Sequence, residues 1–369
     1  MTAPPATSGP SNHRIQRYGV TSTALALLSN RQLGRVLDAQ PLLGRGIGGT
    51  STLLDIDGTP VFAKRVQLTD LERRAENVMS TANLFELPPY CHYGVGSAGG
   101  GVWREVAAHT MTTNWVLSGQ SESFPLMYHW RVLTEPTTTP PPREEPGSLD
   151  RMVQYWHGSE AVRRRLEALQ HATASVVLFL EYVPQNVYQF LRDRLGRGDA
   201  ALEVACVMVE RSLRDDVSFM NASGLFHFDA HFANMLTDGQ RLYLSDFGLA
   251  TSPRFDLSAD EREFIEANRS HDVGYAMTQL VNWLVTAVAG VVGAADRNAY
   301  IRRVAAGSPA SDVPPWAAAI IARYAPIAAV LNDFYWKLFG ESRQTPYPTA
   351  EVERVCARAG FSPIAAASR

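Results

Sequence analysis

Three oxygen-bearing side chains punctuate two apolar stretches in the second half of the chain. Asp229 and Asn234 lie in Leu225-Phe226-His227-Phe228-Asp229-Ala230-His231-Phe232-Ala233-Asn234-Met235-Leu236, and Asp246 follows twelve residues later in Leu242-Tyr243-Leu244-Ser245-Asp246-Phe247-Gly248-Leu249-Ala250. Polar groups set among core-forming residues are costly unless they have partners or a task. Carboxylate and amide oxygens are the hard donors that magnesium requires. Upstream, Gly44-Arg45-Gly46-Ile47-Gly48-Gly49 has the spacing G-x-G-x-x-G, in which the missing Cβ atoms let backbone N–H groups approach phosphate oxygens. Lys64, twenty residues after Gly44, supplies a cation. Together these parts answer what phosphoryl transfer asks of a protein: held phosphates, neutralised charge and an oriented nucleophile.

Each part has a plainer explanation on its own. Glycine clusters also close structural hairpins, a lysine near a strand end often snorkels to the surface, and Asp-Phe-Gly is a common strand-end turn. A dinucleotide-binding fold suits the glycines less well, because a strand-like run follows them where that motif needs a helix. Ser223 and Ser245 lack the base and oxyanion context of a serine hydrolase. His92, His109, His129, His157 and His171 show no metal-triad spacing.

The elements that must position these groups follow from periodicity and turn residues. A short helix is expected over Ser22–Ala39, then a strand-like run into the glycines and a second strand over Thr52–Ile56. Asp57-Gly58 is a hairpin turn signal, and Val61–Val66 returns. Alternation puts Phe62, Lys64 and Val66 on one face. Residues 69–83 are polar and weakly helical, Gly94–Gly101 is a connection, and Val102–Leu117 reads as a helix. Phe124–Leu133 reads as a strand, residues 135–146 as a Pro/Thr-rich linker, Arg151–His171 as a charged helix and Ser175–Val183 as an apolar strand. Ala201–Met220 is a long helix, short strands are expected at Leu225–Phe228 and Leu242–Leu244, and the remainder to Gly360 is helical. A strand-rich first part joined near Pro184 to a helix-rich second part gives an α+β protein of two lobes.

Composition sets limits on function. The chain has 369 residues and a formal net charge of −3, so nothing pulls it as a whole toward nucleic acid or an anionic membrane. Three scattered cysteines, Cys91, Cys206 and Cys356, fit a reducing cytoplasm better than a disulfide framework. The Pro/Ser/Thr-rich start has no apolar core of a signal sequence, so residues 1–13 are expected to be a disordered leader. Tyr275–Ala295 is apolar enough to span a bilayer, but Gln279 and Asn282 interrupt it and no Lys/Arg cluster flanks it, so a buried helix is expected there.

In order and spacing these motifs resemble the protein kinase superfamily: glycine-rich loop, strand lysine, H-x-D-x-x-x-x-N, then D-F-G. The resemblance implies a bilobal fold, with an N-lobe of antiparallel sheet and one main helix over 14–183 (including the linker 135–146 and an inserted helix 151–171) and a mostly helical C-lobe over 184–369. It implies that Asp229 is the catalytic base, that Asn234 and Asp246 hold Mg2+, that Lys64 binds the phosphates of ATP, and that Gly44, Gly46 and Gly49 cover them. His227 matches a structural position. The partner of Lys64 is open among Glu72, Glu76 and Glu105; Glu105 is chosen because its helix is the more amphipathic and precedes a strand. Glu181-Tyr182-Val183 is the expected hinge, with the backbone of Glu181 and Val183 meeting adenine. His271-Asp272-Val273-Gly274 resembles the start of the buried helix that anchors the catalytic loop.

Departures bear on the acceptor. His231 stands where protein kinases usually carry lysine, and the resulting D-x-H-x-x-N resembles the aminoglycoside phosphotransferase branch. Asp246-Phe247-Gly248-Leu249-Ala250 is closer to protein kinases, yet the segment after it is short and lacks Ala-Pro-Glu. The expected activity is transfer of the γ-phosphoryl of Mg-ATP to a hydroxyl, of serine or threonine in a protein, with a small-molecule acceptor or a nucleotide-binding pseudokinase scaffold as alternatives.

Overall fold

A computed structural model describes residues 10–46, 49–94, 97–134 and 148–362. The protein is α+β, with 54% of the described residues helical. Two helices open it, α1 (Pro10–Leu27) and α2 (Asn30–Asp38), followed by strands β1 (Leu42–Gly46), β2 (Gly49–Ile56) and β3 (Thr59–Leu68). Asp57 and Gly58, between β2 and β3, both have positive φ, 51° and 79°, the two-residue turn whose twist matches that of the strands. After the short α3 (Asp70–Arg73) come α4 (Val102–Leu117), β4 (Met127–Thr134), α5 (Ser148–Tyr155), α6 (Glu160–Gln170) and β5 (Ala174–Glu181). The five strands form one antiparallel sheet in the order β1-β2-β3-β5-β4.

Alternation gives this sheet two buried faces. Phe62, Val66 and Leu68 of β3, with Val176, Leu178 and Leu180 of β5, pack against Val102, Trp103 and Val106 of α4. Val61, Ala63, Val177 and Phe179 point the other way, into the cluster that contains Leu25 of α1 and Leu33 and Leu37 of α2. Lys64 shares the α4 side with Phe62 and Val66.

A three-stranded sheet, β6 (Gln185–Asn186), β7 (Met235–Thr237) and β8 (Leu242–Leu244), begins the helical remainder, with α7 (Val187–Leu195) and α8 (Asp199–Ala222) between β6 and β7. Helices α9 (Ala259–Ala267), α10 (His271–Ala287), α11 (Ala294–Ala305), α12 (Pro315–Gly340) and α13 (Thr349–Arg358) follow. Helix α10 is buried along most of its length and packs on α8 and α12. Gly274 permits the second contact: a Cβ there would lie 2.8 Å from the Leu331 side chain.

Several boundaries differ from the sequence expectation. The segment expected as a leader already contains helix from Pro10, while residues 1–9 lie outside the described residues. The single helix expected over Ser22–Ala39 is two, because Ser29 caps α2 through a reciprocal box with Gln32. Arg151–His171 also splits in two, at His157 and Gly158, where φ is 57° and 66°, and Ser159 caps α6. The linker 135–146 lies outside the described residues. Leu225–Phe228 makes only one bridge, Phe226 to Thr251, rather than a strand. The apolar run Tyr275–Ala295 is not one helix, since α10 ends at Ala287. Among the described residues one helix, α12, is long and apolar enough to cross a membrane by length and composition, and 50% of its most apolar window is buried.

Candidate functional site

The twelve-residue step from Asn234 to Asp246 is a hairpin. Asn234 directly precedes β7 and Ser245-Asp246 directly follows β8, and Met235 pairs with Leu244. The open end therefore carries both oxygen-bearing residues, held together by Ser245, whose N–H and Oγ both donate to Asn234 O at 3.0 and 2.8 Å. His227 ties in the loop of Asp229. Its Nδ1 accepts the Asp229 N–H at 3.3 Å, which leaves Nε2 to donate to Ser245 O at 2.9 Å.

Asp272, at the start of α10 and fully buried, fixes this loop from beneath. Its carboxylate accepts the backbone N–H groups of His227 (2.6 Å) and Phe228 (2.8 Å) and the amide of Asn221 (2.7 Å). Burial opposes its charge, but the His271 hydrogen bond and the donors around it hold the carboxyl below its ordinary value. These anchors sustain two strained residues. Phe228 (φ 61°) and Asp246 (φ 63°) occupy left-handed backbone, a region bulky side chains avoid at a cost of about 1–3 kcal/mol.

At Asp229 one oxygen is engaged and one faces His231. Asn234 Nδ2 donates to Asp229 Oδ2 and to its backbone O, both at 3.0 Å, which leaves Asn234 Oδ1 as the free acceptor of that amide. His231 Nδ1 accepts the Ala233 N–H, so the neutral ring carries its proton on Nε2, 3.7 Å from Asp229 Oδ1. Burial lowers the His231 pKa. Burial pushes Asp229 up to about 6, with the Asp246 charge adding to it and His227, Asn234 and Lys64 working against it. Such a carboxyl is ionised at neutral pH yet basic enough to take a proton.

Lys64 joins the sheet to both α4 and the Asp246 loop. Its Nζ lies 2.6 Å from Glu105 Oε1 and 2.8 Å from Asp246 Oδ1. Burial disfavours the ammonium charge, but Asp246 and Glu105 outweigh it and raise the Lys64 pKa. Asp246 responds oppositely: burial would raise it, and Lys64 holds it down at about 2. Its side chain remains 45% exposed, so a charged oxygen faces outward beside the fixed cation. The other two glutamates serve elsewhere or nowhere near. Glu72 pairs with Arg165 at 2.8 Å and accepts the Val102 N–H at the start of α4, and Glu76 is exposed.

The glycines form the β1–β2 hairpin, with Ile47 and Gly48 outside the described residues. Gly44 pairs with Ser51 and Ser51 with Lys64, so the hairpin stands in register with the lysine. Gly46 pairs with Gly49, and Gly49 has a structural reason of its own. Its φ is 118° and a Cβ would lie 2.0 Å from Arg65 O. Glu181 ends β5, where its N–H donates to Leu126 O and its carboxylate is gripped by Arg14; Val183 is buried beyond it.

The sequence pointed to His227 and Asp272, but not to two other groups that fix these parts. Arg104, beside Glu105, forms a buried 2.8 Å ion pair with Glu261 of α9 and donates to Thr81 O, and nothing in their local sequence marks them as partners. Arg14 had one signal, the spacing of Arg14, Tyr18, Thr21 and Leu25 along a single helix face, hidden because the helix was expected only from Ser22 while α1 begins at Pro10.

The donor set suits a cation that arrives with its own ligands. Among the described residues no cluster of three or more His, Cys, Asp or Glu is placed to hold a metal ion. Asp246 and Asn234 Oδ1 offer a partial oxygen set, as magnesium uses when phosphates and water complete its shell. No protein-family model and no curated protein matches the chain.

Proposed function

We propose that this chain is an ATP-dependent phosphotransferase that moves the γ-phosphoryl group to a hydroxyl. The observation that carries the reading is the convergence of Lys64, Glu105 and Asp246 within 2.8 Å, beside a loop in which His227 and Ser245 bind the Asp229–Asn234 segment to that of Asp246. In this reading residues 14–183 form an N-terminal lobe over the nucleotide, and residues 184–369 form a helical lobe that carries the acceptor side. Unpaired, buried cysteines favour a reducing cytoplasm.

Asp246 and Asn234 Oδ1 would hold Mg2+, which when bound offsets phosphate charge. Lys64, kept protonated and aimed by Glu105, binds phosphate oxygens, and Gly44, Gly46 and Gly49 lie over them. Asp229 accepts the hydroxyl proton as the acceptor oxygen bonds to the γ-phosphorus and the bond to the bridging oxygen breaks, releasing ADP. Asn234 orients Asp229 through the 3.0 Å bond to Oδ2. A protein serine or threonine is the acceptor favoured by Asp246-Phe247-Gly248-Leu249-Ala250. His231, directed at Asp229, favours a small-molecule hydroxyl as the second reading.

Incubation with γ-labelled ATP and magnesium, with mapping of the labelled product, tests this. Transfer should occur with the native chain and fall by about 10³-fold or more in Asp229→Ala, while stabilisation by Mg-ATP persists. Full activity in Asp229→Ala overturns the assignment, and stabilisation without turnover in the native chain would make the protein a nucleotide-binding scaffold.

A further inference from the structure

We infer that Arg14 of α1 is a positioning residue for the proposed nucleotide site, clamping the strand end at Glu181 whose backbone the kinase resemblance sets against adenine. The inference rests on that assignment, but the clamp stands on geometry alone. Arg14, Tyr18, Thr21 and Leu25 recur at helical spacing, so they share one face of α1. Thr21 and Leu25 are buried, and the Tyr18 ring packs 6.1 Å from that of Tyr128 in β4. The helix is thus seated along its length, and Arg14 is the charged end of the seated face.

The guanidinium is used on every side. Its Nε donates to both Glu181 carboxylate oxygens at 2.9 and 3.0 Å, and Nη2 reaches Oε2 at 2.6 Å. Nη1 donates to Glu122 O at 3.0 Å and Nη2 also to Phe124 O, while the group lies 5.3 Å from the centre of the Tyr243 ring. Glu181 Oε2 in turn accepts the Leu126 N–H at 3.1 Å. Both side chains are nearly buried, 10% and 11% exposed, and a charged pair withdrawn this far from water is tolerated only when its hydrogen bonds are met.

What the clamp joins gives it its role. Glu181 is the last residue of β5, and after three more residues the chain pairs again as β6, so this stretch carries the backbone from the large sheet to the small one. Tyr243 belongs to β8, the strand that leads into Ser245 and Asp246. One side chain therefore fixes the crossing segment relative to both sheets, and the planar fork of arginine sets direction as well as distance. None of its contacts reaches Asp229, Lys64 or Asp246, so its loss weakens nucleotide binding equally in the ground and transition states, which raises KM and leaves kcat.

The test is steady-state kinetics in ATP with Arg14→Gln, Arg14→Lys and Glu181→Gln, each with its melting temperature. Arg14→Gln should raise the KM for ATP about three- to tenfold, the share of a charge-assisted bond that reaches the ligand, with kcat within about twofold. Arg14→Lys should recover part of this, and adding Glu181→Gln to Arg14→Gln should cost no more than the single change. A KM that stays native in Arg14→Gln, whatever its melting temperature, overturns the inference. So do single effects of Arg14→Gln and Glu181→Gln that multiply. Should Arg14→Gln not fold, Glu181→Gln alone carries the same comparison. A native chain that turns over no ATP defeats the proposed function instead, a result separable from these.

Discussion

Lys64 and Asp246 stand 182 residues apart in the chain, and the ammonium nitrogen of one lies 2.8 Å from a carboxylate oxygen of the other. The same nitrogen holds Glu105 at 2.6 Å, so strand, helix and loop are tied at one point. Two carboxylates sharing one cation leave net negative charge, which in the proposed function a divalent cation would offset.

Removing the cation separates stability from activity. Lys64→Met leaves Glu105 buried without a counter-charge and should cost about 3–5 kcal/mol. The double variant Lys64→Met/Glu105→Met, in which only the half-exposed Asp246 keeps a charge at that spot, should regain part of the loss while phosphoryl transfer stays abolished. Chemical denaturation and turnover on the three proteins check this, and a double variant no more stable than Lys64→Met would count against the buried pair.

The raised Asp229 sets a pH dependence. As a base it must be ionised, so kcat/KM should rise between pH 5 and 7 around a midpoint near the carboxyl's value of about 6. A profile flat down to pH 5 would remove Asp229 from that role.

Stability should run in the opposite direction. The folded chain binds this proton more tightly than an unfolded carboxyl of ordinary value 3.8 does, so the contribution is full below that value and is lost as pH rises through about 6. At pH 8, Asp229→Asn should therefore be more stable than the native chain by about 1–3 kcal/mol. Paired melting curves at pH 4.5 and pH 8 measure the difference, which should shrink at the lower pH.

Two glycines of one motif should behave differently. Gly44→Ala meets only Ser51 Oγ at 3.5 Å and should fold normally, so a raised KM for ATP there reports on phosphate approach. Gly49→Ala forces a side chain onto left-handed backbone against Arg65 O and should lose about 2 kcal/mol or more. Equal melting temperatures for the two would contradict the strand contact.

Much of the arrangement was legible in the chain because it rests on local periodicity. The bounds of α4 at Val102 and Leu117 follow from its apolar face, and the inward turn of Lys64 follows from alternation with Phe62 and Val66. The short strands β6 and β7 were not legible, since two or three residues carry no period and neither is the unbroken apolar run that marked β8.

What the sequence determined alone was the chemistry on offer: Lys64, Asp229, Asn234 and Asp246, in order, on an α+β scaffold. Tertiary structure decided which glutamate meets the lysine, that Glu72 instead caps the start of α4, and that a helix beginning at Pro10 brings Arg14 to Glu181. The physical reason is common to all three. Partners for buried charges are chosen by which elements pack together, and long-range packing leaves no trace in the local spacing of either partner.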